Sequence, residues 1–247
     1  MVFAHRGGAA LRPENTLLAF DHGLSLGADG LEFDVRLSRD GVVMVHHDPT
    51  LDRTTSGTGP LAAHTAEELG RLDAGYRFDG FRGKAGGVPR LDDVLRRYTG
   101  ARFIIELKVN DPALAHRTID AVRAAGAVER TALGSFGTRV LRAARAYEPR
   151  ISTGASREET RLALYRSWVR WPVRRPPYKE FQVPEMAGST RVVSPRFVDY
   201  AHQAGVRVQV WTVNELADMR RLLTWGVDAL ISDRPDLAVE VARAAAR

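Results

Sequence analysis

Three observations predict an α/β fold, a (β/α)₈ TIM barrel with a small insertion after the second strand. Short β-like runs alternate with helix-like runs through most of the chain, the pattern of a parallel sheet covered by helices. Eight such β-like runs can be counted, which favours a closed barrel over an open sheet. The length, 247 residues, is the usual span of one such barrel, so residues 1–247 are read as a single domain. No internal repeat at a period of roughly 20 to 50 residues and no linker divides it.

The first strand is Val2-Phe3-Ala4-His5. The helix after it is read as opening at Asn15, with Leu17, Leu18, Phe20 and Leu24 at helical spacing and Gly27 closing it. The second strand covers residues 31–37. From about residue 42 to 90 the rhythm breaks: a β-like run over 42–46, the Gly-rich Ser56-Gly57-Thr58-Gly59-Pro60, a short helix with capping-box spacing from Thr65 to Glu68, and Gly86-Gly87. This is the expected insertion, and the second barrel helix starts near Leu91. The remaining strands are read at 103–108, 131–135, 151–154, 180–183, 206–211 and 228–232. Ser194-Pro195 opens a helix that ends at Gly205. Asn214 opens another that ends at Gly226, with Leu216, Met219, Leu222 and Leu223 on its inner face.

Composition narrows the function classes. A hydrophobic fraction of 44% and a charged fraction of 27% exclude a disordered chain. No run of about 18 apolar residues is present, so no transmembrane segment is expected. The first strand begins at once, which leaves no room for an export signal and gives a cytoplasmic expectation. With no cysteine, any metal must be held by carboxylates, carbonyls or histidines. The net charge of +6 is carried almost wholly by arginine and suits anionic ligands or surfaces. Those arginines are scattered along helix-like stretches without interleaved aromatics, so no nucleic-acid partner is expected.

The chemistry is concentrated on two strands. In Leu31-Glu32-Phe33-Asp34-Val35-Arg36-Leu37, alternation places the four apolar side chains on one face and Glu32, Asp34 and Arg36 on the other. One face suits a helix layer and the other points into the barrel. Carboxylates two positions apart on an interior face repel and lose hydration unless a cation compensates them. A divalent metal satisfies that requirement, and so would an ion network with Arg36 and other basic residues. In Phe103-Ile104-Ile105-Glu106-Leu107-Lys108, Glu106 and Lys108 share the face of Ile104 at the strand's C-terminal end, where barrel active sites are assembled. Three carboxylates from two strands suit Ca²⁺ or Mg²⁺, hard cations that take oxygen ligands. Lys108 is then either a counter-charge or part of a phosphate receptor. His5 closes the first strand before Arg6-Gly7-Gly8, and His46-His47-Asp48 closes the run after the second. Two histidines can act in turn as base and acid in phosphodiester cleavage, although each alone also reads as a hydrogen-bonded structural residue. His46 and His47 must point to opposite sides of an extended run, so only one faces the site.

These residues resemble the glycerophosphodiester phosphodiesterase family. The resemblance is carried by His5-Arg6-Gly7-Gly8, Pro13-Glu14-Asn15-Thr16, Leu31-Glu32-Phe33-Asp34-Val35, His47-Asp48-Pro49-Thr50, Glu106-Leu107-Lys108, Val210-Trp211-Thr212-Val213-Asn214 and Ile231-Ser232-Asp233-Arg234-Pro235, in order along the chain. It implies hydrolysis of a small-molecule glycerophosphodiester to glycerol 3-phosphate and an alcohol. It implies Glu32, Asp34 and Glu106 as metal ligands, His5 and His47 as the acid/base pair, and Arg6 and Lys108 as phosphate-binding residues. The same resemblance selects His47 over His46.

Trp211, at the end of the seventh strand, is read either as a substrate contact or as a core aromatic. Gln182, near the end of the sixth, is a candidate polar contact with substrate. Residues 165–178, with Trp168, Arg170, Trp171, Arg174 and Arg175, match no family motif. They are read as an ordinary helix and loop with inward-packed tryptophans, or as a rim that takes a bulkier leaving group or touches an anionic membrane surface. Two competing activities are kept: a lysophospholipase D-type or cyclising phosphodiesterase on the same barrel, and a catalytically silent barrel that binds phosphodiesters.

Overall fold

The computed structural model describes residues 1–172 and 175–245. In chain order the elements are β1 (Val2–His5), α1 (Leu17–Ser25), β2 (Gly30–Leu37), β3 (Val43–Val45), α2 (Ala66–Gly70), α3 (Leu91–Arg97), β4 (Arg102–Leu107), α4 (Pro112–Ala124), β5 (Thr131–Gly134) and α5 (Thr138–Tyr147). They continue with β6 (Ser152–Thr153), α6 (Arg157–Trp168), β7 (Glu180–Pro184), β8 (Met186–Ala187), β9 (Thr190–Arg191), α7 (Pro195–Gln203), β10 (Arg207–Trp211), α8 (Leu216–Thr224), β11 (Ala229–Ser232) and α9 (Pro235–Ala245).

Eight parallel strands run in the order β6-β5-β4-β2-β1-β11-β10-β7. A parallel bridge from Gly154, just past β6, to Glu180 on β7 joins the two ends of that order. The fold is a (β/α)₈ barrel, and its eight strands are those read from alternation, with ends shifted by at most one residue. The helix-facing sides of β2 and β4, Leu31, Phe33, Val35, Phe103 and Ile105, are buried in one cluster under α3 and α4. The opposite faces fill the barrel, where Phe3, Ile104, Ala229 and Ile231 pack together with Trp211 against them. Among the described residues no helix is long and apolar enough to cross a membrane.

Beyond β2 the chain turns back as β3, antiparallel to it. The segment through Val88 builds a small core of its own from Met44, Leu51, Leu61, Leu69 and Val88. The bridge between Met44 and Arg90 returns the chain to the barrel at α3. The capping box expected at Thr65 and Glu68 is formed.

Two helix starts differ from the sequence reading. Thr16, not Asn15, caps α1: its Oγ1 accepts from the Ala19 N–H at 3.1 Å. Asn15 sits at φ +59°, a left-handed conformation that asparagine tolerates, and its side chain turns into the barrel. Likewise Glu215 occupies the cap position of α8 without a side-chain bond, and Asn214 reaches to the end of β11. In both cases a carboxylate, Asp34 or Asp233, takes the amide that the helix end would have used. The start of α7 agrees with the reading, with the Ser194 hydroxyl accepting from the Phe197 N–H.

Candidate active site

The parallel register of β2 and β4 sets Asp34 beside Glu106 and Glu32 beside Ile104. The interior-facing alternation then brings one carboxylate oxygen from each of Glu32, Asp34 and Glu106 within 4.8 Å of the others. Glu32 is 5% exposed and Asp34 1%. Burial pushes the Glu32 carboxyl up to about 8, with His5 opposing and Asp34 and Glu106 adding to the rise. Glu106 is raised too, burial and Asp34 outweighing Lys108. Burial works upward on Asp34 as well, but the neighbouring Arg6 and Lys108 charges hold it below its ordinary range. Their contacts are Arg6 Nε at 3.3 Å and Lys108 Nζ at 3.5 Å. Lys108 also lies 3.1 Å from Glu106, and the Asn15 amide donates to Asp34 Oδ2 at 3.0 Å.

Arg36 takes no part in an ion network with these acids; its Nε donates to the His47 carbonyl at 2.9 Å. Acids that resist joint ionisation, with all-oxygen donors and two basic groups pressed against one of them, fit a divalent cation. Glu32, Asp34 and Glu106 could hold one.

Each histidine read from the sequence has a carboxylate behind it. His5 Nδ1 lies 2.6 Å from Asp233 Oδ1, and His5 Nε2 is 3.8 Å from Glu32 Oε2. Asp233 is itself gripped by Asn214, whose Nδ2 donates to its carboxylate at 2.9 Å and whose Oδ1 accepts its backbone N–H at 2.9 Å. Burial alone would lower the His5 pKa, but Glu32 and Asp233 together raise it. His47 Nδ1 lies 2.6 Å from Asp48 Oδ1. Arg53 ties Asp48 to Glu14, and Glu14 receives Arg6 at 2.9 Å, so one chain of ion pairs links the insertion to the end of β1. With Nδ1 engaged, each ring leaves Nε2 for a ligand. His46 is turned away as expected, buried with its Nε2 3.0 Å from the Thr50 carbonyl.

His5, Arg6, Glu32, His47, Glu106 and Lys108 all line one cleft of about 670 Å³, and Asp34 lies beneath it. Trp211 and Gln182 line it as well. Trp211 packs on the barrel interior, as its reading as a core aromatic has it, and meets Phe136 edge to face at 6.0 Å. Gln182 donates to Glu180 at 3.1 Å. Its side chain crosses Gly134 and Gly154, where a Cβ would stand 2.4 and 2.8 Å from its Oε1. The reading of inward-packed tryptophans fails. Tyr165 and Trp168 line the cleft at 51% and 48% exposure, and Trp171 is 65% exposed. Arg174 lies outside the described residues.

Several site residues were not singled out from the sequence. Asp48 sits next to His47 and was open to that reading. Asp233 falls within a stretch that carries the resemblance, but nothing local ties it to His5, 228 positions away, or ties Arg53 and Phe136 to the site.

The family model of the glycerophosphoryl diester phosphodiesterase family matches residues 5–237. A glycerophosphodiester phosphodiesterase of Caldanaerobacter subterraneus subsp. tengcongensis is 31% identical over 249 residues, which cover 98% of this chain and 98% of its own. The crystal structure of a glycerophosphodiester phosphodiesterase from Agrobacterium tumefaciens superposes with a TM-score of 0.79 at 32% identity, covering 97% of this chain and 99% of that one. A glycerophosphoryl diester phosphodiesterase domain from Mycobacterium tuberculosis gives a TM-score of 0.87 at 25% identity, with 98% of each chain covered.

Proposed function

The chain belongs to the glycerophosphoryl diester phosphodiesterase family, and from that premise we propose that it hydrolyses glycerophosphodiesters to glycerol 3-phosphate and an alcohol, with Glu32, Asp34 and Glu106 holding a Ca²⁺ or Mg²⁺ ion and His5 and His47 moving the protons. The observation that carries this reading is the placement of two carboxylate-backed imidazoles and a three-carboxylate cluster at one end of one cleft. A cation bound there supplies charge stabilisation for the phosphoryl oxygens and orients the diester.

The chain's own residues do the rest. Arg6 and Lys108 line the cleft beside the acids and place positive charge where negative charge grows on the equatorial oxygens. Asp233 and Asp48 hold the Nδ1 side of their histidines, which leaves each Nε2 free to take or give a proton. One imidazole accepts a proton from the attacking hydroxyl and the other returns one to the departing alkoxide. Trp211 and Gln182, which line the same cleft, are the substrate contacts.

The test is release of glycerol 3-phosphate from glycerophosphocholine or glycerophosphoethanolamine with Ca²⁺, with Mg²⁺ and with EDTA. Turnover should need the cation and stop on chelation, and His47→Ala should lower it by about 100- to 10,000-fold while the protein stays folded. Equal turnover after chelation would overturn the three-carboxylate metal site. Undiminished turnover in the variant would overturn the acid/base assignment.

A further inference from the structure

Helix α6 reverses the usual arrangement of a surface helix. Its inward stripe is small, with Ala163, Leu164 and Ser167 buried, and its larger apolar side chains turn outward. Leu162, Tyr165 and Val169 share one helical face, with Leu162 51% and Val169 72% exposed. Arg161 and Trp168 flank that face on the side of the cleft.

The end of the helix fixes one more aromatic beside this face. The Trp171 N–H donates to the Arg166 carbonyl at 2.9 Å and the Arg170 N–H to the Ser167 carbonyl at 3.4 Å. These are the paired bonds that close a helix on a left-handed residue. Here that residue is Arg170, at φ +54°, where glycine is usual. The turn brings the exposed Trp171 back to the helix end, next to Trp168, whose carbonyl accepts from Arg196 of α7.

Positive charge gathers on the same segment. Between Glu159 and Glu180 every charged residue is an arginine or a lysine. Arg161 and Arg170 are exposed and enter no ion pair among the described residues, whereas Arg145 and Arg191 on neighbouring elements are paired to Glu159 and Glu185.

Large apolar side chains in water beside unpaired cations mark an interaction surface whose partner is anionic outside and apolar within. A second copy of this chain, docked through the same face, would set these arginines against one another. A nucleic acid would neutralise the arginines, but Leu162 and Val169 offer no flat face on which a base could stack. An anionic bilayer answers both halves. Its headgroup phosphates meet the guanidinium groups, tryptophan and tyrosine sit at headgroup level, and the aliphatic side chains reach the acyl boundary.

We propose that the outer face of α6, from Arg161 to Trp171, docks this protein reversibly on the surface of an anionic phospholipid bilayer. Docking needs neither the three carboxylates nor the histidines, so it stands apart from the phosphodiesterase reading.

Flotation of the full chain with vesicles tests this, in EDTA so that no divalent cation bridges protein and lipid. Vesicles of phosphatidylcholine alone are compared with vesicles carrying about one third phosphatidylglycerol. The chain should float with the anionic vesicles and stay behind with the neutral ones. Arg161→Gln combined with Arg170→Gln should weaken that binding about 25-fold, or about fivefold for each arginine. Trp168→Ser combined with Trp171→Ser should weaken it by about tenfold or more, and the unchanged circular dichroism expected at two exposed positions shows that the fold is kept. Flotation with neither vesicle, equal flotation with both, or binding undiminished in both variants overturns the proposal. Two further results overturn it by naming another occupant. One is arginine-dependent binding of a single-stranded oligonucleotide without vesicle binding. The other is a dimer in sedimentation that the tryptophan variant dissolves, again without vesicle binding.

Discussion

His5 and Asp233 are 228 positions apart, and the pairing of β1 with β11 sets them 2.6 Å from each other. Asp233 lies behind the imidazole, where a carboxylate favours the proton on Nδ1 and holds the ring, and in the proposed reaction it is a positioning residue. Asp233→Asn keeps size and shape but weakens the hold on that proton. It should lower kcat by about 10- to 100-fold while leaving KM and cation affinity near their original values. A rise in KM with kcat unchanged would place Asp233 in substrate binding instead. The residues legible in the sequence were those whose strand carries its own pattern: Glu32, Asp34 and Glu106 follow from alternation alone. The partners of the histidines follow from barrel closure and from a loop, neither of which leaves a periodic trace. Asn15 was misread for a related reason. An asparagine before a helical run is an ordinary cap by local rules, and only the approach of Asp34 across the barrel shows why Thr16 takes over that task.

At the scale of elements, all eight barrel strands were legible because each is a short β-like run set between helix-like stretches. The course of α6 was not, since residues 157–168 carry the spacing of an ordinary core face and only the structure shows Tyr165 and Trp168 exposed along the cleft. The insertion was visible as a break in rhythm, but not its attachment. Arg53 reaches from it to Glu14, and Glu14 to Arg6. Glu14 and Asp48 are held below their ordinary values of 4.5 and 3.8, because the hydrogen bonds and charge of Arg53, with Arg6 for Glu14 and His47 for Asp48, outweigh burial. A carboxylate with a depressed folded-state pKa stabilises the fold fully above its unfolded value, and that contribution disappears as pH falls through the folded one. Acidification below about pH 4.5 should therefore loosen residues 43–90 before the barrel. Amide hydrogen exchange at pH 6 and pH 3.5, referenced to intrinsic rates, would show selective loss of protection there. In Arg53→Met the weaker protection should already be present at pH 6. Uniform loss across the barrel strands would show that the ion-pair chain does not anchor the insertion.

For the whole molecule, the acids clustered in the cleft are a burden on the fold. Glu32 and Glu106, each raised by burial, face Asp34 across adjacent strands, with Arg6 and Lys108 compensating only part of the charge. A cation bound by all three would join β2 to β4 through their side chains as well as their backbones. At a free cation concentration of about 100 times Kd, binding to the folded state alone contributes about 2.7 kcal/mol. For a domain of this size that corresponds to a rise in Tm of about 5 to 10 °C. The measurement is thermal unfolding in EDTA and in a Ca²⁺ or Mg²⁺ series. Glu106→Gln gives the opposing case: with one buried charge removed, the cation-free protein should melt no lower than the parent, because repulsion with Asp34 is relieved. Its gain on adding cation should largely vanish, because one of three ligands has become a neutral amide. A rise in Tm of equal size in parent and variant would mean the ion acts elsewhere on the surface. Tm unmoved in the parent at saturating cation would mean that Arg6 and Lys108 already satisfy the cluster, and that the acids shape a cation-independent site.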